Sequence, residues 1–158
     1  MRFIALRARA RQRDESGFPA GGFGCRLRLI EVHAGVGLMA DIRVKRAYRA
    51  ARVSDGARVL VDRLWPRGLA KDRVRLAAWR KDLAPSSELR KWFGHDPEKW
   101  EEFKVRYFKE LDENPDAVDE LVAGIGDRPT TLIFGAKDEE RNNAVALKLY
   151  LKERRGIS

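Results

Sequence analysis

The stretch "RVLVDRLWPRGLAKD", residues 58–72, decides the fold. Val59, Leu60 and Val61 form a short continuous apolar run, the pattern of a strand buried on both faces. The run passes without a break into Asp62, Arg63, Trp65, Pro66, Arg67 and Gly68. A core strand thus ends in a carboxylate, two guanidinium groups, an indole and a turn stiffened by proline. In open α/β sheets, ligands gather beyond the carboxyl ends of the strands.

Upstream, "DIRVKRAY" (41–48) alternates Ile42 and Val44 with Arg43 and Lys45, as a half-buried strand does. Asp55-Gly56 signals a turn between the two strands. From Leu69 to Leu83 the pattern is mixed; a short helix fits, with Trp79 in the core. Ser86 can cap "SELRKWF", in which Leu89, Trp92 and Phe93 share one helical face before Gly94. Asp96-Pro97 opens the next helix, with a stripe of Trp100, Phe103, Tyr107 and Leu111. Asn114-Pro115 repeats that start signal ahead of Val118, Leu121, Val122 and Ile125. "TTLIFGA" (130–136) is a buried strand, and a last helix is expected from Asp138 or Glu139, with Ala144, Leu147 and Leu151 on one face.

The order strand, strand, helices, strand, helix predicts an α/β fold: a small, mainly parallel sheet of about three strands with several packed helices. The roughly 65 residues between the second and third strands leave room for a right-handed helical crossover. The first two strands are joined by about ten residues, shorter than the usual crossover, so their relative direction stays open.

Hydrophobic residues make up 44% of the 158 and charged residues 36%, enough for one core under a charged surface. No run approaches the roughly 18–20 apolar residues of a membrane span, and a cytoplasmic location without membrane contact is expected. The single cysteine, Cys25, excludes an internal disulfide and fits a reducing compartment. Residues 1–38 read as an Arg/Gly-rich N-terminal extension, either disordered or a start-site artefact ahead of translation from Met39. Within it, "LRLIEVHAGVGLM" could form a short strand or helix. Residues 39–158 read as a single α/β domain. The net charge of +9 divides between the extension (seven Arg against three acids, +4) and the domain (26 basic residues against 21 acidic, +5).

If the second and third predicted strands are parallel, "DRLWPRG" and "GAKDEERNN" (135–143) share one edge. Ligand-binding candidates there are Arg63, Trp65, Arg67, Lys137, Arg141 and Asn142: forks and an ammonium for a phosphate or carboxylate, an indole for a planar group. Asp62 and Asp138 are the catalytic candidates, as orienting groups or bases. Structural roles compete: an Asp62–Arg63 ion pair, Trp65 as core, and Lys137-Asp138 as a solvated helix start. His95, beside Asp96, could do acid–base work but fits a capping turn better. His33 lies in the extension. There is no Cys/His cluster at zinc spacing and no dinucleotide fingerprint, since "GGFG" does not follow a strand and open a helix. No metal is expected and the cofactor, if any, is unknown.

"VLVDRLWPRGL", "WRKDLAPSSELRKWFGHDPEKWEEFKVRYFKEL" and "TLIFGAKDEERNNAVAL" resemble the YeaO-like branch of the uncharacterised domain-of-unknown-function 488 (DUF488) family, over about Ile42 to Leu151. The resemblance implies a small cytosolic bacterial or archaeal α/β protein and supplies no reaction. Asp62, Arg63, Trp65, Pro66, Arg67 and Gly68 carry over, as do Trp79, Ser86, Leu89, Arg90, Trp92, Phe93, Tyr107, Lys137 and Asn142. Some relatives resemble Asn-His where this chain has Asn142-Asn143, which weighs against a histidine base there. The expected function is binding of, or action on, a phosphorylated or anionic small molecule such as a nucleotide. The alternative is a nucleic-acid-binding or regulatory module, suggested by the +9 charge and the Arg-rich extension.

Overall fold

The computed structural model describes residues 41–156. The extension, with its possible short strand or helix, His33 and Cys25, lies outside them. The strands are β1 (Ile42–Arg46), β2 (Ala57–Leu60), β3 (Ala78–Trp79) and β4 (Thr130–Phe134). The helices are α1 (Lys71–Val74), α2 (Ser87–Phe93), α3 (Trp100–Asp112), α4 (Pro115–Ile125) and α5 (Asn143–Arg155). All pairings are parallel, in the order β1-β4-β2-β3. The sheet has one strand more than expected: β3 is only two residues long and leaves no periodic trace in the sequence.

The last strand in the chain is central. Leu132 sits opposite both Val44 and Val59, and Ile133 opposite both Lys45 and Leu60. All five residues of β4 are buried, which explains its unbroken β-branched and apolar run. The open direction of the first two strands resolves as parallel. Ten residues, Ala47 to Gly56, carry the chain from the end of β1 back to the start of β2 without an α-helix. A 3₁₀ turn at Val53–Asp55 and a left-handed Gly56 (φ 63°) make this possible. A side chain at Gly56 would put its Cβ 1.9 Å from the Pro129 carbonyl oxygen, so only glycine fits.

Strand alternation divides the interior in two. Ile42, Val59, Val61, Leu132 and Phe134 face the helices, where Phe93, Phe103, Tyr107, Val118, Leu121 and Leu147 complete the main core. Leu60 and Ile133 face the other way, with Ala47 and Val74 buried against them and Trp65, Leu69, Leu76 and Trp79 packed around. The capping signals act as read at two helix starts. Ser86 Oγ accepts from the Leu89 N–H (3.0 Å), and Asp96 Oδ1 accepts from the Glu98 N–H (3.0 Å). Pro97 opens a 3₁₀ turn that runs into α3. Asn114 does not cap α4; its amide donates to the Asp82 carbonyl (3.1 Å) and ties α4 to the preceding loop. The last helix begins at Asn143 rather than Asp138 or Glu139, because Asn142 caps it by accepting from the Val145 N–H (3.0 Å).

Candidate functional site

Because β2 and β4 are parallel neighbours, their exits lie on the same edge. Asp62 follows β2, and Gly135 follows β4. The Gly135 N–H donates to Asp62 Oδ2 (2.7 Å). A Cβ at position 135 would stand 3.1 Å from that oxygen, so glycine permits the close approach. On the other side the Asn143 amide donates to Asp62 Oδ1 (3.0 Å) and to the Val61 carbonyl (2.9 Å). The Asp62 carbonyl accepts from the Trp79 indole N–H (2.7 Å). Asp62 is thus built into the strand ends, not paired with Arg63, which is exposed.

A cleft of ≈ 330 Å³ opens beside this carboxylate. Its polar lining is Asp62, Arg63, Arg90, Lys91, His95, Asn142 and Asn143, and its apolar lining includes Pro85, Phe93 and Phe103. Helix α2 delivers Arg90 and Lys91, and the turn after it delivers His95, held at a left-handed φ of 60°. Among the described residues, the side chains of Arg63, Arg90 and Lys91 have no ion-pair partner. Burial pushes the Asp62 carboxyl up from its ordinary range, although the Gly135 N–H, the Asn143 amide and the charges of Arg90 and His95 oppose the rise. A second hollow, bordered by Val44, Lys45, Arg49, Arg52 and Glu139, is different in kind. There two of the three cations are paired, Arg49 with Glu139 (2.7 Å) and Lys45 with Asp55 (2.8 Å), and Arg52 alone has no ion pair among the described residues.

The candidates read from the sequence separate here. Asp62, Arg63 and Asn142 line the cleft, although the Asn142 side chain is buried and committed to capping α5 and to the Asp138 carbonyl (3.0 Å). Trp65 lies with the second cluster: its ring meets Trp79 edge-on at 5.4 Å and its N–H donates to the Leu69 carbonyl (2.7 Å). Asp138 closes the turn before α5, accepting from the Glu140 and Arg141 N–H groups (2.8 and 3.0 Å). Those two bonds hold its carboxyl below the usual range, which suits a cap better than a base. Arg67 and Lys137 are exposed and do not border the cleft, nor does Arg141, at 4.0 Å from Asp138. Arg90 and Lys91 are cleft residues that strand-end reasoning misses; Asn143 lies within the exit segment 135–143 that this reasoning does bring to the edge, without being among its ligand candidates. Arg90 and Lys91 come from a helix 28 residues beyond Asp62, which only tertiary packing brings to the sheet edge. Among the described residues, no cluster of His, Cys, Asp or Glu is placed to hold a metal, and no helix is long and apolar enough to cross a membrane.

Fold and site together define a small parallel α/β protein with a cation-rimmed cleft at the carboxyl edge of its sheet. The chain belongs to the DUF488 family, in its YeaO-like branch: residues 41–156 match the family described as the inactive DUF488-N3 subclade. It is 42% identical over 113 residues to the uncharacterized protein Rv3073c of Mycobacterium tuberculosis H37Rv, covering 72% of this chain and 95% of that one. It is 38% identical over 112 residues to the uncharacterized protein YeaO of Escherichia coli K12, covering 71% and 97%. No solved structure matches it.

Proposed function

We propose that the cleft binds a phosphorylated or otherwise anionic small molecule, of the class of a nucleotide, and holds it without turning it over. The observation that carries this reading is the gathering of Arg63, Arg90 and Lys91 around one cleft, none of them in an ion pair among the described residues, beside the single carboxylate of Asp62. Arginine forks and an ammonium grip a phosphate by charge-assisted hydrogen bonds. Pro85, Phe93 and Phe103 offer an apolar wall to the uncharged part of such a ligand. Asp62, with each oxygen already accepting one hydrogen bond, fixes the strand ends and keeps spare lone pairs for a ligand hydroxyl. Two observations favour binding over turnover. The subclade is described as inactive. Position 143, where some relatives resemble a histidine, holds an amide engaged with Asp62 and Val61.

Thermal shift of the full chain against nucleoside mono- and diphosphates, sugar phosphates and inorganic phosphate tests the reading. Ligand at about 100 times its Kd should stabilise the fold by about 2.7 kcal/mol. Arg90→Ala should abolish the shift, and phosphorus NMR should recover the ligand unchanged. A shift that survives Arg90→Ala, or the absence of any shift across the panel, would overturn it.

A further inference from the structure

Charge is distributed unevenly between the two layers that cover the sheet. Residues 42–81, which contain β1, β2 and the segment over the second cluster, hold 13 basic residues against three acidic, a net +10. Residues 82–125, running through α2, α3 and α4, hold six basic against 12 acidic, a net −6. Helix α3 neutralises its own cations: Lys104 pairs with Glu101, Arg106 with Glu102 and Lys109 with Glu113. In the opposite layer, Arg67, Lys71, Arg73, Arg75 and Lys81 are all exposed, and none has an ion pair among the described residues. Their backbone is fixed. Trp65, Leu69, Val74, Leu76 and Trp79 pack it onto Leu60 and Ile133, and the Tyr48 hydroxyl donates to the Arg67 carbonyl (3.0 Å). Lys81 rests on the Trp79 ring at 3.9 Å, and Arg75 is held at a left-handed φ of 48°.

We infer that the outer surface of the segment from Trp65 to Lys81 docks the phosphate backbone of a nucleic acid. Charge complementarity carries the assignment: Arg67, Lys71, Arg73 and Arg75 are exposed without ion pairs on one packed segment, Lys81 adjoins them on the Trp79 ring, and a polyanion with regularly spaced phosphates is the partner that uses such a row of cations. An anionic lipid surface fits less well. Interfacial binding needs apolar side chains to insert; within Trp65–Lys81 no large apolar side chain is exposed, and of those beside it Leu64 adjoins its start while Tyr48 is tied by its hydroxyl to the Arg67 carbonyl. Contacts made through phosphates position a duplex without reading its bases, so the binding is independent of sequence. None of the five cations borders the cleft, and the inference stands apart from the ligand proposed for it.

Fluorescence anisotropy of the full chain with a labelled DNA duplex, over a salt series, tests it. Log Kobs should fall linearly with log salt. Arg67→Ala/Lys71→Ala/Arg73→Ala should reduce the magnitude of the slope by about 2–3, at about 0.9 for each phosphate no longer neutralised. Lys104→Ala/Arg106→Ala/Lys109→Ala removes the same charge from α3 and should leave the slope unchanged. An equal reduction in both variants means attraction by net charge alone and overturns the inference. An unchanged slope in the first variant does the same, assigning the phosphates to another part of the chain. Equal binding to phosphatidylserine vesicles, or salt-sensitive self-association abolished by the first variant, would reassign the surface to lipid or to a second copy.

Discussion

The two faces of the sheet are stabilised by different physics. On the helical face Leu132, Phe134, Val59, Val61 and Ile42 meet apolar helix faces, and Phe93, Phe103 and Trp100 stack in sequence, with centroids 4.3 and 5.7 Å apart. The other face alternates apolar and charged residues. Beside Leu60 and Ile133 lies a buried ion network: Asp55 accepts from Lys45 Nζ (2.8 Å), Arg58 Nη1 (2.5 Å) and the Arg52 N–H (3.0 Å). Arg58 also donates from Nε to the Val74 carbonyl (2.8 Å), while its Nη2 is buried without a partner among the described residues. Thr131 Oγ1 donates to the Asp55 carbonyl (2.6 Å), tying the central strand to the crossover. A packed apolar face loses stability in proportion to the volume removed. An ion network loses most when one partner is left alone.

The sharpest test of the first half of that contrast is Leu132→Ala. The side chain is fully buried on the central strand. Its loss should cost about 4 kcal/mol in urea unfolding, as transfer energy plus an unfilled cavity. No change to a neighbouring charge should recover it. A loss below about 1 kcal/mol would mean that this face is loosely packed.

On the polar face, Asp55→Asn should cost about 3 kcal/mol, because Arg58 is left as a buried charge without its counterion. Here a second change should help. Arg58→Met in the same chain removes the stranded charge and fills a similar volume, and should recover about half of the loss. Lys45, at the margin of the network, can turn toward water. If the double variant is as unstable as the sum of the singles, the network is not coupled and the contrast between the faces fails.

These differences bear on what the sequence could reveal. The helical face is legible: caps at Ser86 and Asp96 and the stripe from Trp100 to Leu111 are local signals, and they mark real helix starts and a real buried face. β4 is legible because burial on both faces leaves an unbroken apolar run. The polar face is not. Arg58 lies in the same run as Val59 and Leu60, and nothing in a local window says that its charge is buried by Asp55 across a tight turn. Trp65 reads equally as a stacking platform or as core, and only its partnership with Trp79 places it. The cleft is half legible for the same reason. Strand topology brings Asp62, Arg63 and Asn142 to one edge, whereas Arg90, Lys91 and His95 reach it through the packing of α2, which depends on residues distant in sequence.

The smallest expected effect separates the faces by pH. Burial pushes the Asp55 carboxyl up, but Lys45, the Arg52 N–H and Arg58 outweigh it and lower the pKa from 3.8 to about 2. A carboxyl with a depressed folded pKa contributes stability that is fully present above the unfolded value and is lost as pH falls through the folded one. The window is therefore about pH 4 to pH 2, and the loss is about 2 kcal/mol, from the 3.8 and about 2 of the two states. Asp62 acts in the opposite sense: its pKa is raised, so protonation on acidification favours the fold. Denaturant unfolding of the wild type and of Asp55→Asn/Arg58→Met, at steps from pH 5 to pH 2, isolates the network, because every other carboxylate titrates in both chains. The wild-type curve should fall by about 2 kcal/mol more than that of the variant, all of it below about pH 4. Parallel curves would show that Asp55 titrates as a free carboxylate. The polar face would then be held by Leu60, Ile133 and the Trp65–Trp79 pair, as apolar in its energetics as the face it opposes.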